Sequence, residues 1–500
     1  MATDSTATDR EELNVITLAA APIILDEMYT IDEAEDALLY HLVNSFNTQC
    51  IISSQRKDAS RNRKFRQRRE WSWFSHYMSH RQFRRYFRMT NDCFTSLCNR
   101  IATNHGEHQF RSEDYINNLY DGNYASNSRD MVDFTNLAHA ARSSTGDFIS
   151  GEVKVAMSLR ILAGGTYMDL GLIFEIGETY AYQIFHDVIG KWILDDRLVK
   201  INGIDYCNND ARMQQVALEF ARASNGVING CIGALDGWIV KIAKPTKRDG
   251  VMNPKSFYSR KGFFGVSVQA IVDKNKRILF RSIESRGAEH DSSAFKHTEL
   301  YTWLLNNWVS LARKGFYFIG DSAYSLKSFL LTPYDNTRHG TAEDNYNFFH
   351  SSSRIVVECA FGEVDLRWGI LWKPLRFSLR NNIRIIDACM RLHNLIVDYR
   401  ESAAVDDAAY ERELFDDECR RFLAVSADME EGGVHGGESD IQRDANFEPY
   451  RGGRPTSAES ASEKLGRNWR DAHRDSISAQ HLVRPLSNWY RSHNRIYQDN

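Results

Sequence analysis

Three acidic residues stand where a metal-dependent phosphodiester chemistry would want them. Asp236 follows the apolar run Cys231-Ile-Gly-Ala-Leu235 and precedes Gly237, where backbone can bend close to a ligand. Asp321 closes Phe316-Tyr-Phe-Ile-Gly320 in the same way. Glu358 lies in Arg354-Ile-Val-Val-Glu358-Cys-Ala-Phe-Gly, a helical pattern with a basic residue one turn before the acid. Cutting a phosphodiester needs an activated oxygen nucleophile and stabilisation of charge on the leaving oxygen. Two divalent cations about 3.5–4 Å apart supply both. Hard oxygen ligands with an incomplete protein shell suit Mg²⁺. Three carboxylates from separate elements are therefore a sensible minimum, two fixed at strand ends and one brought across by a helix.

Glu363 competes with Glu358 for the third place. Five residues on a helix rotate by about 140°, so both cannot face one metal pair. Ile355, Cys359, Gly362 and Leu366 read as the apolar face, with Glu358 on its flank beside Arg354. Asp291 in Glu-His290-Asp-Ser-Ser is a further acid, whose plainer role is to cap the helix it opens. His290 and Arg354 join it as accessory candidates. Arg260 and Lys261, just before a strand, and Arg367 suit a DNA backbone or plain solvation.

The elements that must hold these residues follow from pattern. Segments 227–242, 262–273, 277–284 and 315–320 are rich in β-branched and aromatic residues between turn residues, and read as strands. A helix is expected from Asp291 through Leu305, loop from Asp321 to Ser353, then the Glu358 helix and another over 383–399. Three antiparallel strands, a helix, a fourth strand and further helices is the order of an RNase H-like core, an α/β fold with a mixed sheet and helices. This catalytic domain takes residues 225–400. Upstream, 151–200 reads as helix, glycine-containing turn, helix. Thr166 is the expected N-cap of a short helix, and the helix from Glu178 to Ile193 offers Thr179, Tyr182, Gln183 and His186, with no Arg or Lys before Lys191.

Residues 1–55 form an acidic arm, and 56–150 a basic, aromatic and helical region. Arg63, Lys64, Arg66, Arg68 and Arg69 lie in that region, followed by Arg81, Arg84, Arg85 and Arg88 among aromatics. Such a run suits phosphate contact or a nuclear-localisation signal, and the nucleus is the expected compartment. Residues 401–500 read as an acidic, largely disordered linker followed by a basic helix over 463–485. The net charge of −4 conceals this asymmetry, and 42% hydrophobic content suffices for real cores. Eight scattered cysteines without a C-x-x-C pair read as buried reduced thiols. No apolar run is long enough to span a bilayer.

Together these motifs resemble the PIF/Harbinger superfamily of DDE transposases and their domesticated nuclease relatives. The matching pieces are Ala-Leu-Asp236-Gly, Phe-Tyr-Ser-Arg-Lys-Gly-Phe-Phe-Gly-Val-Ser-Val-Gln-Ala-Ile-Val-Asp, His290-Asp-Ser, Gly-Asp321-Ser-Ala-Tyr, Arg354-Ile-Val-Val-Glu358-Cys-Ala-Phe-Gly and Leu392-His-Asn-Leu. The resemblance implies that Asp236, Asp321 and Glu358 bind Mg²⁺ or Mn²⁺ as a catalytic triad. It also implies cutting at terminal inverted repeats, a homo-oligomer on DNA and a separate Myb-like DNA-binding partner. Departures are Trp238 after Asp-Gly, and Glu363 and Asp365 after Phe-Gly, two extra acids expected to weaken DNA approach. The alternative is a domesticated or decayed relative that binds DNA or a partner without cutting.

Overall fold

The computed structural model describes residues 71, 74, 78–106, 149–174, 176–402 and 456–484. Arg63, Lys64, Arg66, Arg68 and Arg69 lie outside the described residues, as do the acidic arm and most of the acidic linker.

The helical region begins with α1 (His80–Phe87), closed by a Ser79–Gln82 capping box, and α2 (Asn91–His105), capped by Thr90. Phe83, Phe87 and Phe94 are buried around Trp71, with ring centroids 4.6–5.9 Å from that indole. The aromatics after the basic run are therefore core. Three helices follow: α3 (Gly151–Leu162), α4 (Tyr167–Ile173) and α5 (Glu178–Val188), the last running into a π-turn over Ile189–Ile193. Thr166 caps α4, and Asp169 answers on the Thr166 N–H, so a capping box sets the start of this short helix. Two helices without a sequence expectation, α6 (Gly203–Cys207) and α7 (Asp210–Ala223), lead into the sheet.

The sheet has five strands in the order β3-β2-β1-β4-β5. Strands β1 (Cys231–Lys241), β2 (Gly265–Val272) and β3 (Ile278–Arg286) are antiparallel neighbours. Strands β4 (Tyr317–Ile319) and β5 (Leu330–Leu331) add in parallel on the other side of β1. Every residue of β2 is buried. A strand covered on both faces loses the in–out alternation and reads as a near-continuous apolar run, as Gly-Val-Ser-Val-Gln-Ala-Ile-Val does apart from Ser267 and Gln269. This is an RNase H-like mixed sheet, in the order expected from the sequence.

Between β3 and β4 the single expected helix is two, α8 (Asp291–Lys296) and α9 (Glu299–Arg313). The break falls at Thr298, which caps α9 by accepting the Tyr301 N–H. After β5, α10 (Ala342–Arg367) begins well before Ser353, so the expected loop holds both a strand and half a helix. It packs on β1 and β2, while α11 (Leu379–Ser402) packs on β3. Among the described residues no helix is long and apolar enough to cross a membrane.

The last helix, α12 (Ser457–Ala479), lies on β5, α9 and α10. Its three arginines are engaged within the chain. Arg470 stacks 3.9 Å over Tyr334 and donates to the Pro333 carbonyl, while Arg474 pairs with Glu343 and Arg467 with Glu463. Ser328 donates its N–H to the Ser462 carbonyl at 2.8 Å. This close approach requires Gly466: a Cβ there would stand 2.5 Å from the Lys327 carbonyl carbon and 2.6 Å from its oxygen. Gly466→Ala is accordingly expected to lift α12 from β5 at a cost on the order of 1–3 kcal/mol. Limited proteolysis checks it, as faster cleavage within 457–484 than in the wild type.

Candidate active site

Register brings Asp236 and Asp321 together, but the expected strand-end position of Asp236 is corrected. Strand β1 continues to Lys241 and pairs with β2 from Ala234 onward, so Asp236 sits mid-strand and only Asp321 follows a strand end. Ala234 of β1 pairs with Ile319 of β4 in parallel, and Asp236 and Asp321 each lie two residues further on. Asp236 is mostly buried. Its Oδ1 accepts the Gly237 N–H at 2.8 Å, and its Oδ2 accepts Arg354 at 2.7 Å. The same guanidinium reaches Glu358 Oε1 at 2.6 Å. Arg354 therefore bridges β1 to α10, and a half-exposed Glu358 faces the sheet through it. Asp321 Oδ1 accepts the Ala323 N–H at 3.0 Å, which closes a tight turn after β4.

The electrostatics match this crowding. Burial pushes the Asp236 carboxyl up to about 6 against the Gly237 N–H and Arg354, and the charges of Asp321 and Glu358 push the same way. Burial also raises Asp321, opposed by the Ala323 N–H and Arg354 and reinforced by Asp291.

Glu363 points elsewhere. It is buried against Lys276 and against Arg400 at 3.2 Å. Burial disfavours its charge, but His393, Lys276 and Arg400 outweigh that and hold it at about 2. It is an internal ion pair, so the expectation that it would repel DNA is corrected. The expected apolar face of this helix is also corrected. Ile355 and Cys359 are exposed, and Val356, Val357, Ala360, Phe361 and Val364 make the buried side. Among the described cysteines, Cys359 is thus the exception to the expected burial. Trp238 stacks on Phe361 with centroids 5.5 Å apart, which ties β1 to α10 beside Asp236.

Asp291 belongs to the same neighbourhood, and its expected capping role is corrected. His290 holds the N-cap position and makes no side-chain cap bond. Asp291 Oδ1 instead accepts Gln269 Nε2 at 3.1 Å, and Tyr324 donates its hydroxyl to Gln269 Oε1 at 2.6 Å. The carboxylate presses on Gly237 so closely that no Cβ would fit there. Gln269 and Tyr324 were not anticipated. Their signal was a glutamine inside a mostly apolar strand, and a tyrosine three residues after Asp321. Arg260 is exposed and lies 3.6 Å from Asp291, Lys261 is exposed beside it, and His290 is exposed at the rim.

Carboxylate oxygens are hard donors, and the set Asp236, Asp321 and Glu358 is of the kind that holds divalent metal. Among the described residues no three His, Cys, Asp or Glu side chains are grouped closely enough to hold one ion. Arg354 is the cation that Asp236 and Glu358 share.

Residues 235–394 match the family described as DDE superfamily endonuclease. The chain is 25% identical over 293 residues to the protein named ALP1-like from Arabidopsis thaliana, covering 55% of this chain and 68% of that protein. It is 25% identical over 199 residues to "Putative nuclease HARBI1" of Bos taurus, covering 39% and 54%. The HARBI1 of Rattus norvegicus gives 26% over 203 residues, with the same coverage. The chain therefore spans about half the length of the HARBI1 relatives. No solved structure matches it at a significant level.

Proposed function

Because residues 235–394 match the family described as DDE superfamily endonuclease, we propose that this protein is a metal-dependent DNA transposase or endonuclease that cuts at terminal inverted repeats. The observation that carries the reading is the parallel placement of Asp236 and Asp321, with Glu358 joined to Asp236 through Arg354. These three carboxylates would hold Mg²⁺ or Mn²⁺, as two ions. When bound, the ions activate the attacking oxygen and stabilise the leaving one. Arg354 neutralises Asp236 and Glu358 and would compete with a bound cation for their oxygens. Gln269 and Tyr324 fix Asp291 beside Gly237, and Arg260 and Lys261 meet substrate phosphate at the rim. The protein acts in the nucleus as a homo-oligomer, with a Myb-like partner supplying repeat recognition.

The Arg354 bridge also favours a second reading, a protein of the same fold that binds DNA without cutting. A cleavage assay on repeat-end duplex with Mg²⁺ or Mn²⁺, with and without the partner protein, decides between them. Metal-dependent nicking supports the enzyme, and its absence under both conditions leaves the binder.

The basic arm is expected to supply sequence-independent affinity. Changing Arg63, Lys64, Arg66, Arg68 and Arg69 to Ala should weaken DNA binding and flatten its salt dependence by roughly four units of slope, because each phosphate contact contributes close to one. A titration against salt concentration checks this, and an unchanged slope would leave the arm as a targeting signal.

A further inference from the structure

Two stretches outside the carboxylate site meet at the far end of β1. Between Asp236 and Asp249 the sequence carries Lys241, Lys244, Lys247 and Arg248 and no acid. Between Asp365 and Asp387 it carries Arg367, Lys373, Arg376, Arg380 and Arg384 and no acid. The fold joins them, because Leu375 bridges Ile242 in parallel. Ala243 donates its N–H to the Leu375 carbonyl at 2.7 Å, and Leu375 donates to Lys241 at 3.1 Å.

The acid that ends the first stretch is engaged in holding the join. Asp249 Oδ2 accepts the Thr246 N–H and hydroxyl at 2.9 Å, and Oδ1 accepts the Leu379 N–H at 3.0 Å. Asp365, the other nearby acid, is half-buried. Lys241, Lys244, Lys247, Arg248, Lys373, Arg376 and Arg380 are all exposed.

This surface adjoins α5. Phe377 packs on His186 and Phe185 with centroids 5.6 and 6.3 Å apart. The Arg384 guanidinium lies against Gly190. Helix α5 shows Tyr182 and Gln183 to solvent but carries no Arg or Lys of its own. The cationic residues it lacks stand beside it on another segment. Lys241 is five residues along β1 from Asp236, about 17 Å at ~3.4 Å per residue. A duplex lying along the strand covers that in about five base steps.

We propose that stretches 241–248 and 373–380 form one composite cradle for the backbone of double-stranded DNA flanking the cut site, with Tyr182 and Gln183 of α5 alongside. The inference rests on the nuclease reading for its substrate, and its test separates the two. In the full chain, the quadruple variant Lys244→Ala, Lys247→Ala, Arg248→Ala, Arg376→Ala is titrated with a labelled duplex of arbitrary sequence over a salt series. Affinity at low salt should fall by about tenfold or more, and the salt slope by roughly three to four units. The charge-conserving variant Lys244→Arg, Lys247→Arg, Arg248→Lys, Arg376→Lys should bind like the wild type, and melting temperatures should match throughout. An unchanged slope overturns the cradle, as does a charge-conserving variant that binds as poorly as the alanine one. Equal binding and equal sensitivity with single-stranded RNA would overturn duplex DNA as its occupant. A wild type that cuts while the quadruple variant keeps its full slope removes the cradle and keeps the nuclease. A sensitive slope in a protein that never cuts does the reverse.

Discussion

Asp321→Asn should bind repeat-end DNA at least as tightly as the wild type and cut it at least about a thousandfold more slowly. The carboxylate would contribute through metal, and metal stabilisation of charge at the scissile phosphate is worth several kcal/mol, each 1.36 kcal/mol being about tenfold in rate. Binding comes from phosphate contacts made elsewhere, so losing one negative charge at the cleft cannot weaken it. Asp236→Asn and Glu358→Gln should behave alike. Asp236→Asn additionally removes the charge facing Arg354 and one of the two acceptor oxygens on β1, so its melting temperature is measured beside its rate. Single-turnover cleavage with Mg²⁺ and with Mn²⁺ is the readout. If Asp321→Asn cuts as fast as the wild type, carboxylate-held metal chemistry is the wrong mechanism.

Glu363→Gln, five residues from Glu358 and nearly isosteric, should damage the fold and spare the chemistry. The side chain is buried against Lys276 and Arg400. Removing one partner of a buried pair costs about 3–5 kcal/mol, and the lower figure applies because Lys276 reaches solvent. The acid limb of the stability curve carries the same signature. Glu363 is held at about 2 against an ordinary 4.5, so its stabilisation is complete above about pH 4.5 and fades as pH falls toward 2. Burial pushes neighbouring His393 down to about 4 from an ordinary 6.5. The unfolded chain therefore takes up a proton that the fold refuses, and stability also falls from about pH 6.5 toward 4. Urea midpoints measured against pH should show both limbs in the wild type and a flattened lower limb in Glu363→Gln. An unaltered urea midpoint at pH 7, or a loss of cutting per folded molecule, would contradict the assignment.

The parts of the molecule legible in its sequence are those whose pattern is set locally. Strands β1 to β4 announce themselves by β-branched and aromatic runs, and the place of Asp321 just past β4 follows from them, whereas Asp236 sits mid-strand because β1 runs on to Lys241 against β2. The capping box at Thr166 is local in the same sense. What stayed hidden depends on distant partners. The first half of α10, Ala-Glu-Asp-Asn-Tyr-Asn-Phe-Phe-His-Ser-Ser-Ser, has no apolar stripe. Its buried polar groups are satisfied from afar: Asp344 and Asn345 by Arg484, and His350 by the Leu331 carbonyl. Strand β5 is only two residues long, too short to carry a period. The bridge from Arg354 to Asp236 spans 118 residues. Helical spacing indicated the Glu358 pairing, but only the fold reveals the second carboxylate on the same guanidinium.

The seating of α12 on β5 has a consequence for how the protein is made. Ser328 and Ser462, which join the two, are 134 residues apart in the chain. During synthesis at about 5–20 residues per second, the edge of the sheet emerges several seconds before the helix that will cover it. An uncovered strand edge is a template for pairing with another chain. A message truncated before codon 457 should therefore yield a product that sticks to itself or to chaperones, even though Asp236, Asp321 and Glu358 have all been translated.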